Sequence, residues 1–146
     1  MKRTGGCQCG KVRYEVTGEP MNQMFCYCSD CQARTGGDKW FGVWYAHENF
    51  KFIGEETQTY TRKGSSGADV HNHFCPECGV TVCADITAGK FFTINGPSFD
   101  TDEHLAPKMA IFTASAPKWQ FCRPISLCSI PFLQATDNSS STLPSR

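Results

Sequence analysis

Cysteine is the residue that most constrains what this chain can fold into. Ten of the 146 residues are cysteine, a density typical of a disulfide framework or of metal binding. Cysteines separated by one or two residues strain a disulfide between them, but they suit a metal ion. The spacing therefore favours metal over disulfides. Seven of the ten fall in three short groups: Cys7 and Cys9; Cys26, Cys28 and Cys31; Cys75 and Cys78.

The first residues predict that these thiols stay reduced. Residues 1–7 include two basic side chains but no apolar stretch behind them, so we expect no secretory signal. No apolar run approaches the 18 or more residues that a membrane-spanning helix needs. We therefore expect a cytoplasmic protein with no membrane partner, in a compartment where thiols are free to bind metal.

The charge balance argues against nucleic acid as a partner. Fourteen Lys and Arg residues match fourteen Asp and Glu residues, so the formal net charge is zero. Such a chain has no long-range field that would hold it on a polyanion. We expect no nucleic-acid partner, and the zero net charge and the lack of a basic tail also disfavour a cytoskeletal or chromatin-associated role.

Many short predicted strands with Gly and Pro between them indicate a mostly β domain. Residues 11–16 alternate polar and apolar side chains, which is the period of a half-buried strand. One short helix is predicted over 29–35, where Ser29 and Asp30 favour a start and Gly36 favours an end. We expect one domain over residues 1–130, followed by a mobile polar tail over 131–146. Further predicted strands are 21–25, 40–45, 50–53, 57–61, 70–74, 80–86, 90–94 and 108–113.

The third cysteine group has the sequence of a zinc knuckle. In Cys75-Pro76-Glu77-Cys78-Gly79, the proline presets the turn and the glycine lets the chain fold back. One knuckle supplies two ligands, whereas a closed structural zinc site needs four. The pair Cys7 and Cys9 could supply the other two, because both pairs lie beside predicted strands.

The central group has a different spacing. Cys26, Cys28 and Cys31 can converge on one ion within a single loop. Three protein ligands leave one zinc position open, which is typical of a catalytic zinc. An alternative division joins the knuckle to two of the central cysteines and leaves the first pair spare. Spacing alone does not decide between the two divisions.

The motifs around these cysteines resemble those of a known family. Taken together, they are similar to the glutathione-dependent formaldehyde-activating enzyme family, also called the centromere protein V family. The resemblance covers roughly residues 4–121 in the family's order and spacing. It rests on segments 6–10, 26–32 and 74–79, with further similarity in 12–18, 33–36 and 111–119.

The resemblance implies a zinc-ribbon-like β-tent, in which short antiparallel strands form two packed sheets. It also implies two zinc ions per chain, held by different cysteines. A structural zinc would be bound by Cys7, Cys9, Cys75 and Cys78. A catalytic zinc would be bound by Cys26, Cys28 and Cys31.

The resemblance further implies a carbon–sulfur lyase type of enzyme. The family's reaction joins glutathione and formaldehyde into S-hydroxymethylglutathione, so a thiol and a small aldehyde are the expected partners, with a homodimer left open. The family usually has His where this chain has Tyr27, and Tyr does not shuttle protons at neutral pH as His does. The alternative is a non-enzymatic zinc-stabilised module that binds a thiol ligand or a protein. Candidate cations for the carboxylates of glutathione are Arg13, Arg34, Lys39 and Arg62.

The predictions for the remaining cysteines and for two histidines are less specific. Cys83 lies in an apolar predicted strand, and we expect a buried core thiol. Cys122 and Cys128 are expected to be free thiols near the surface. His71 and His73 share strand parity with the third cysteine group and could face its metal, but a hydrogen-bonded pair on a strand is the preferred prediction.

Overall fold

The computed structural model describes residues 1–120. They form ten strands, one α-helix and four short 3-10 turns. The strands are β1 Lys2–Gly6, β2 Arg13–Thr17, β3 Asn22–Cys26, β4 Trp40–Ala46, β5 Phe50–Phe52, β6 Gln58–Lys63, β7 Asp69–Phe74, β8 Thr81–Ile86, β9 Phe91–Asn95 and β10 Met109–Ile111. The helix α1 is Ser29–Thr35, and the 3-10 turns are His47–Asn49, Thr87–Gly89, Gly96–Ser98 and Thr113–Ser115.

These strands form two sheets. The smaller has the order β1-β2-β5, and the larger has the order β10-β3-β4-β9-β8-β7-β6. The predicted mostly β fold with two packed sheets is confirmed. One pairing departs from the antiparallel expectation, since β10 runs parallel to β3. The long connection from β9 to β10 crosses the sheet, so the last strand enters in the same direction as β3.

The sequence did not indicate β1. Residues 2–6 are Lys-Arg-Thr-Gly-Gly, which lack apolar alternation and contain two residues that disfavour strands. The segment is nevertheless a strand because it pairs along its whole length with β2, from Lys2 opposite Thr17 to Gly6 opposite Arg13. Tertiary pairing overrides the weak local preference.

The helix α1 spans the predicted residues. Its first turn is capped by the Sγ atom of Cys28, which accepts a hydrogen bond from the backbone N–H of Cys31 at 3.4 Å. It ends at Gly36, whose φ of 65° is left-handed. Glycine takes this conformation without the steric cost that other residues meet, and its N–H bonds back to the carbonyl of Gln32.

The main core lies between the two sheets. Tyr14 and Val16 of β2 pack against Val43 and Tyr45 of β4, and all four are fully buried. Cys83 of β8 lies in the same core, as the apolar strand pattern predicted. This core holds the small sheet, and the first cysteine pair that follows β1, against the large sheet.

A second, smaller core lies on the opposite face of the large sheet. Side chains alternate along a strand, so Met24 and Cys26 of β3 project away from the main core. They pack with Cys31 of α1 and Trp40 of β4. The central cysteine group is therefore built on the outer face of the large sheet, under the short helix.

No helix within residues 1–120 is long and apolar enough to cross a membrane. Other sequence predictions lie beyond these residues. The end of the predicted domain at residue 130, the polar tail over 131–146, and the thiols of Cys122 and Cys128 fall outside the described part of the chain, and they stay predictions.

Candidate metal centres

The first and third cysteine groups meet at one end of the sheets. The Sγ atoms of Cys7, Cys9, Cys75 and Cys78 all lie within 4.8 Å of one another. The sulfurs of Cys7 and Cys9 are 3.4 Å apart, and those of Cys9 and Cys75 are 3.7 Å apart. A tetrahedral zinc with bonds of about 2.3 Å to sulfur separates its ligands by roughly 3.8 Å. The four sulfurs therefore fit a closed zinc site.

The two pairs reach this position through similar backbone turns. The N–H of Cys7 donates to the carbonyl of Val12, and the N–H of Cys75 donates to the carbonyl of Val80, both at 3.0 Å. Within each turn a glycine of positive φ, Gly10 or Gly79, donates back to the first cysteine's carbonyl. Each pair is thus a tight knuckle that aims two sulfurs at one point.

Backbone donors favour the thiolate form of Cys7 and Cys78, whereas hydrogen bonding with the Cys7 thiol raises the pKa of Cys9 to about 12. The N–H groups of Val80 and Cys9 lower the pKa of Cys78 to about 6. The sulfur of Cys7 accepts the N–H of Val12 at 3.3 Å. Thiolates are the form that binds zinc, so these donors prepare the group for metal.

The central three cysteines converge at the junction of β3 and α1. Cys26 is the last residue of β3, Cys28 caps the helix, and Cys31 lies in the first turn. Their three Sγ atoms lie within 4.8 Å of one another, and those of Cys26 and Cys28 are 3.5 Å apart. Cys26 and Cys31 are buried, and Cys28 is half-buried. These sulfur separations also fit zinc, with three ligands rather than four.

The middle sulfur of this group is the most acidic. Hydrogen bonds from the thiols of Cys26 and Cys31 lower the pKa of Cys28, and the N–H of Cys31 and the charge of Arg62 act in the same direction. The pKa of Cys26 rises, because hydrogen bonding with its two partners and burial both favour its protonated form. The group therefore concentrates negative charge on the sulfur at the helix N-terminus.

The guanidinium of Arg34 lies against this group. Its Nη2 donates to the Sγ of Cys31 at 3.6 Å, and its Nη1 donates to the Oδ1 of Asn72 on β7. The guanidinium carbon lies 3.9 Å from the centroid of the Trp40 ring. Burial lowers the pKa of Arg34, and the nearby Cys31 opposes that change.

The other candidate cations are distributed unevenly. Arg62 on β6 is ion-paired with Asp30 of α1 at 3.0 Å, next to the central group. Lys39 lies 5.7 Å from the centroid of the Tyr27 ring. Arg13 lies elsewhere: it is on the small sheet and pairs with Asp100 beside the first cysteine group. The structure therefore brings Arg34 and Arg62 to the central cysteines, whereas Lys39 lies near the ring of Tyr27, the residue between two of them.

Tyr27 stands between two of the central cysteines, in a loop that is anchored on both sides. Its N–H donates to the carbonyl of Ile111 at 3.1 Å. Its carbonyl accepts the side-chain amide of Gln32 at 2.6 Å, and the same amide donates to Ser115 at 2.8 Å. The C-terminal end of the described chain thus fixes the loop.

The two histidines do not approach the cysteines' sulfurs. The Nδ1 atom of His73 lies 3.0 Å from the hydroxyl of Thr57, and the Nδ1 atom of His71 lies 2.7 Å from that of Thr61. Neither belongs to a cysteine group among residues 1–120. The preferred prediction, a hydrogen-bonded pair on a strand, describes both.

Two features of the site could not be anticipated. The sequence does not indicate a role for Asn72, because its contact with Arg34 joins residues 38 positions apart. The spacing of the cysteines also does not decide how they divide into two metal sites. The structure groups the knuckle sulfurs with the first pair and leaves the central three together, so the alternative division does not form. The metal role of both groups stays a prediction.

Fold and site together define a mostly β protein with two cysteine clusters, each able to hold a metal ion. The chain belongs to the glutathione-dependent formaldehyde-activating enzyme family, whose model matches residues 2–115. This confirms the resemblance seen in the motifs.

The fold recurs in a crystal structure of a protein from Rhodobacter sphaeroides. The two chains are 21% identical and superimpose with a TM-score of 0.54, over 66% of this chain and 87% of the other. No curated protein sequence shows significant similarity to this chain.

Proposed function

We propose that this protein is a zinc-dependent carbon–sulfur lyase that adds glutathione, or a similar thiol, to formaldehyde or another small aldehyde. The observation that carries the proposal is the difference between the two clusters. One has four sulfurs within 4.8 Å, whereas Cys26, Cys28 and Cys31 have no fourth His, Cys, Asp or Glu ligand within that distance among residues 1–120. A three-ligand zinc site has a position for substrate. Family membership supports the same reaction.

The proposed reaction would take place at the central cysteines. Cys26, Cys28 and Cys31 would hold the zinc, which supplies an open position where a substrate thiol is stabilised as thiolate. In the addition, the thiolate sulfur forms a bond to the carbonyl carbon, and the carbonyl π electrons move to oxygen. That oxygen takes up one proton, which balances the proton lost by the thiol.

The cations around the site suit a substrate with carboxylates. Glutathione carries two carboxylates, and Lys39 and Arg62 lie at the rim of the central group. Arg62 is partly neutralised by Asp30, and Lys39 by Asp38 at 2.6 Å. Lys39 also lies near the rings of Phe25 and Tyr27, at 5.5 and 5.7 Å. We infer that Lys39 and Arg62 orient the thiol substrate through its carboxylates.

A second candidate function has an observation of its own. A cavity of about 360 Å³ lies beside the four-cysteine group, where Arg13 and Asp100 line it with Cys7. A non-enzymatic zinc-stabilised module would use such a cavity to bind a ligand next to a closed zinc site. In that case ligand binding would depend on Arg13 and would be independent of Cys28.

The deciding experiment is the rate of S-hydroxymethylglutathione formation with zinc-loaded protein. We expect a rate above the uncatalysed reaction, and a Cys28→Ser variant should lose it. The matched control is Cys83→Ala, which changes a buried cysteine outside both clusters and should retain the activity. A rate equal to the uncatalysed one, together with no glutathione binding, would refute the proposal. Binding without turnover that survives Cys28→Ser but not Arg13→Gln would favour the module.

A further inference from the structure

Arg34 is held in one place by three different contacts. It lies three residues after Cys31 on α1, so its side chain reaches the same side of the helix. The guanidinium stacks on Trp40 at 3.9 Å and donates to Asn72 and to the Cys31 sulfur, the latter at 3.6 Å. Asn72 is itself fixed, because its Nδ2 donates to the carbonyl of Tyr60 at 3.2 Å. A chain of contacts therefore runs from β6 through β7 to the sulfur.

The groups around Arg34 that can carry a negative charge are sulfurs rather than carboxylates. Within residues 1–120, Arg13 and Arg62 are both ion-paired with an aspartate, whereas Arg34 is ion-paired with no carboxylate. A half-buried cation without such a partner is costly unless another negative group offsets it. As zinc-bound thiolates, the central cysteines would be those negative groups, and Cys31 is in direct contact with Arg34.

These contacts also leave little of the Arg34 guanidinium available to bind a substrate. One face of the guanidinium is against the Trp40 ring, two nitrogens are engaged, and the Nε atom is buried. A planar guanidinium held in this way acts as a fixed charge and donor. The sequence placed Arg34 among the candidates for binding glutathione's carboxylates, and the structure gives it a different set of contacts.

We propose that Arg34 is a positioning residue for the central site: it holds the Cys31 thiolate in place for zinc and offsets the charge of the three-thiolate centre. Three thiolates around a divalent ion carry one net negative charge, and a substrate thiolate adds a second. A fixed guanidinium beside one ligand sulfur lowers the free-energy cost of both negative charges. This inference rests on the zinc site of the proposed function, but not on the identity of the thiol or the aldehyde.

The test is zinc affinity, measured by chelator competition, in a set of five proteins. Wild type and Arg34→Gln are compared first. The same change is then made in Cys28→Ser, which retains only the four-cysteine site. Removing a residue that supports a metal ligand typically weakens binding about 10- to 100-fold. We expect a loss in that range for one of the two zinc ions in Arg34→Gln, and no change when Arg34→Gln is added to Cys28→Ser.

Zinc binding in the two Cys28→Ser proteins also reports folding, because the four-cysteine site brings together Cys9 and Cys75, which are 66 residues apart in sequence. Arg34→Lys should recover part of the affinity, since Lys restores charge but not the planar contacts. Unchanged affinity for both ions in Arg34→Gln would overturn the inference. An equal loss at both sites would also overturn it, because that result indicates a general structural role. If the wild type binds only one zinc ion, and Cys28→Ser still binds it, the central cysteines hold no zinc. That result would refute both the metal site of the proposed function and this inference.

Discussion

Cys26 and Trp40 lie directly opposite each other on β3 and β4. The indole of Trp40 is almost completely buried, and its Nε1 donates to the hydroxyl of Thr93 on β9 at 3.0 Å. Its ring also supports the guanidinium of Arg34. One core residue thus links the large sheet to a candidate zinc ligand and to the cation beside it.

The first prediction concerns the hydrogen bond of Trp40. Trp40→Phe keeps an aromatic ring but leaves the buried hydroxyl of Thr93 without this partner. We expect the free energy of unfolding to fall by about 1–3 kcal/mol, measured by urea denaturation of the zinc-loaded protein. The control is Trp44→Phe, because the buried Nε1 of Trp44 makes no hydrogen bond within residues 1–120. Equal losses in the two variants would contradict the role given to the hydrogen bond.

The second prediction concerns space on the face of β4. A Cβ atom at Gly42 would collide with the hydroxyl of Thr93 and would lie 3.0 Å from the Nε1 of Trp40. Gly42→Ala should therefore destabilise the protein by about 1–3 kcal/mol, as overpacked cores do. In Gly37→Ala the nearest atom would be 3.6 Å away, in ordinary contact. Thermal unfolding of both variants checks this, and a Gly42→Ala protein as stable as Gly37→Ala would count against the packing.

The third prediction is a pH dependence at the small sheet. Hydrogen bonds from Arg13 and Thr4 hold the pKa of Asp100 below its ordinary value. A carboxylate with a lowered folded-state pKa contributes stability above its unfolded pKa of about 3.9, and loses it as pH falls through the folded value. Asp100→Asn should cost about 1 kcal/mol or less at pH 7, since the pair is partly exposed.

The difference between Asp100→Asn and wild type should shrink as the pH is lowered below 4. Urea denaturation at a series of pH values measures it. Asp102→Asn is the control, because Asp102 is exposed and has no ion pair among the described residues. A gap between wild type and Asp100→Asn that is constant from pH 7 to acid would show that the carboxylate's charge is not the cause.

The fourth prediction concerns Lys39 and depends on the proposed reaction. Lys39→Gln removes a charge at the rim of the central group without changing a cysteine. The KM for glutathione should rise about two- to fivefold, the range expected for one partly exposed charge pair, while kcat changes little. Lys51→Gln, on the small sheet, should leave both constants unchanged. A KM unaffected by Lys39→Gln would show that groups other than Lys39 bind the carboxylates of glutathione.

The sequence predicts much of this architecture, but not all of it. The helix over 29–35 and most strands are predicted by the sequence, because turn residues bound them and their side chains alternate, as in 11–16, or favour strands, as in 40–45. The strand β1 is not, since Lys2–Gly6 gains its structure only by pairing with β2. The division of the cysteines was open for a related reason. Cys9 and Cys75 are 66 residues apart in sequence, and only the packing of the two sheets brings their sulfurs within 3.7 Å.

The central claim is that the chain holds two separate zinc ions, one of them on three cysteines. The most direct test is the zinc content of purified protein, compared with that of Cys28→Ser and Cys83→Ala. We expect two zinc ions per chain in the wild type and in Cys83→Ala, and one in Cys28→Ser with the fold retained. One zinc in the wild type, or two in Cys28→Ser, would contradict the account.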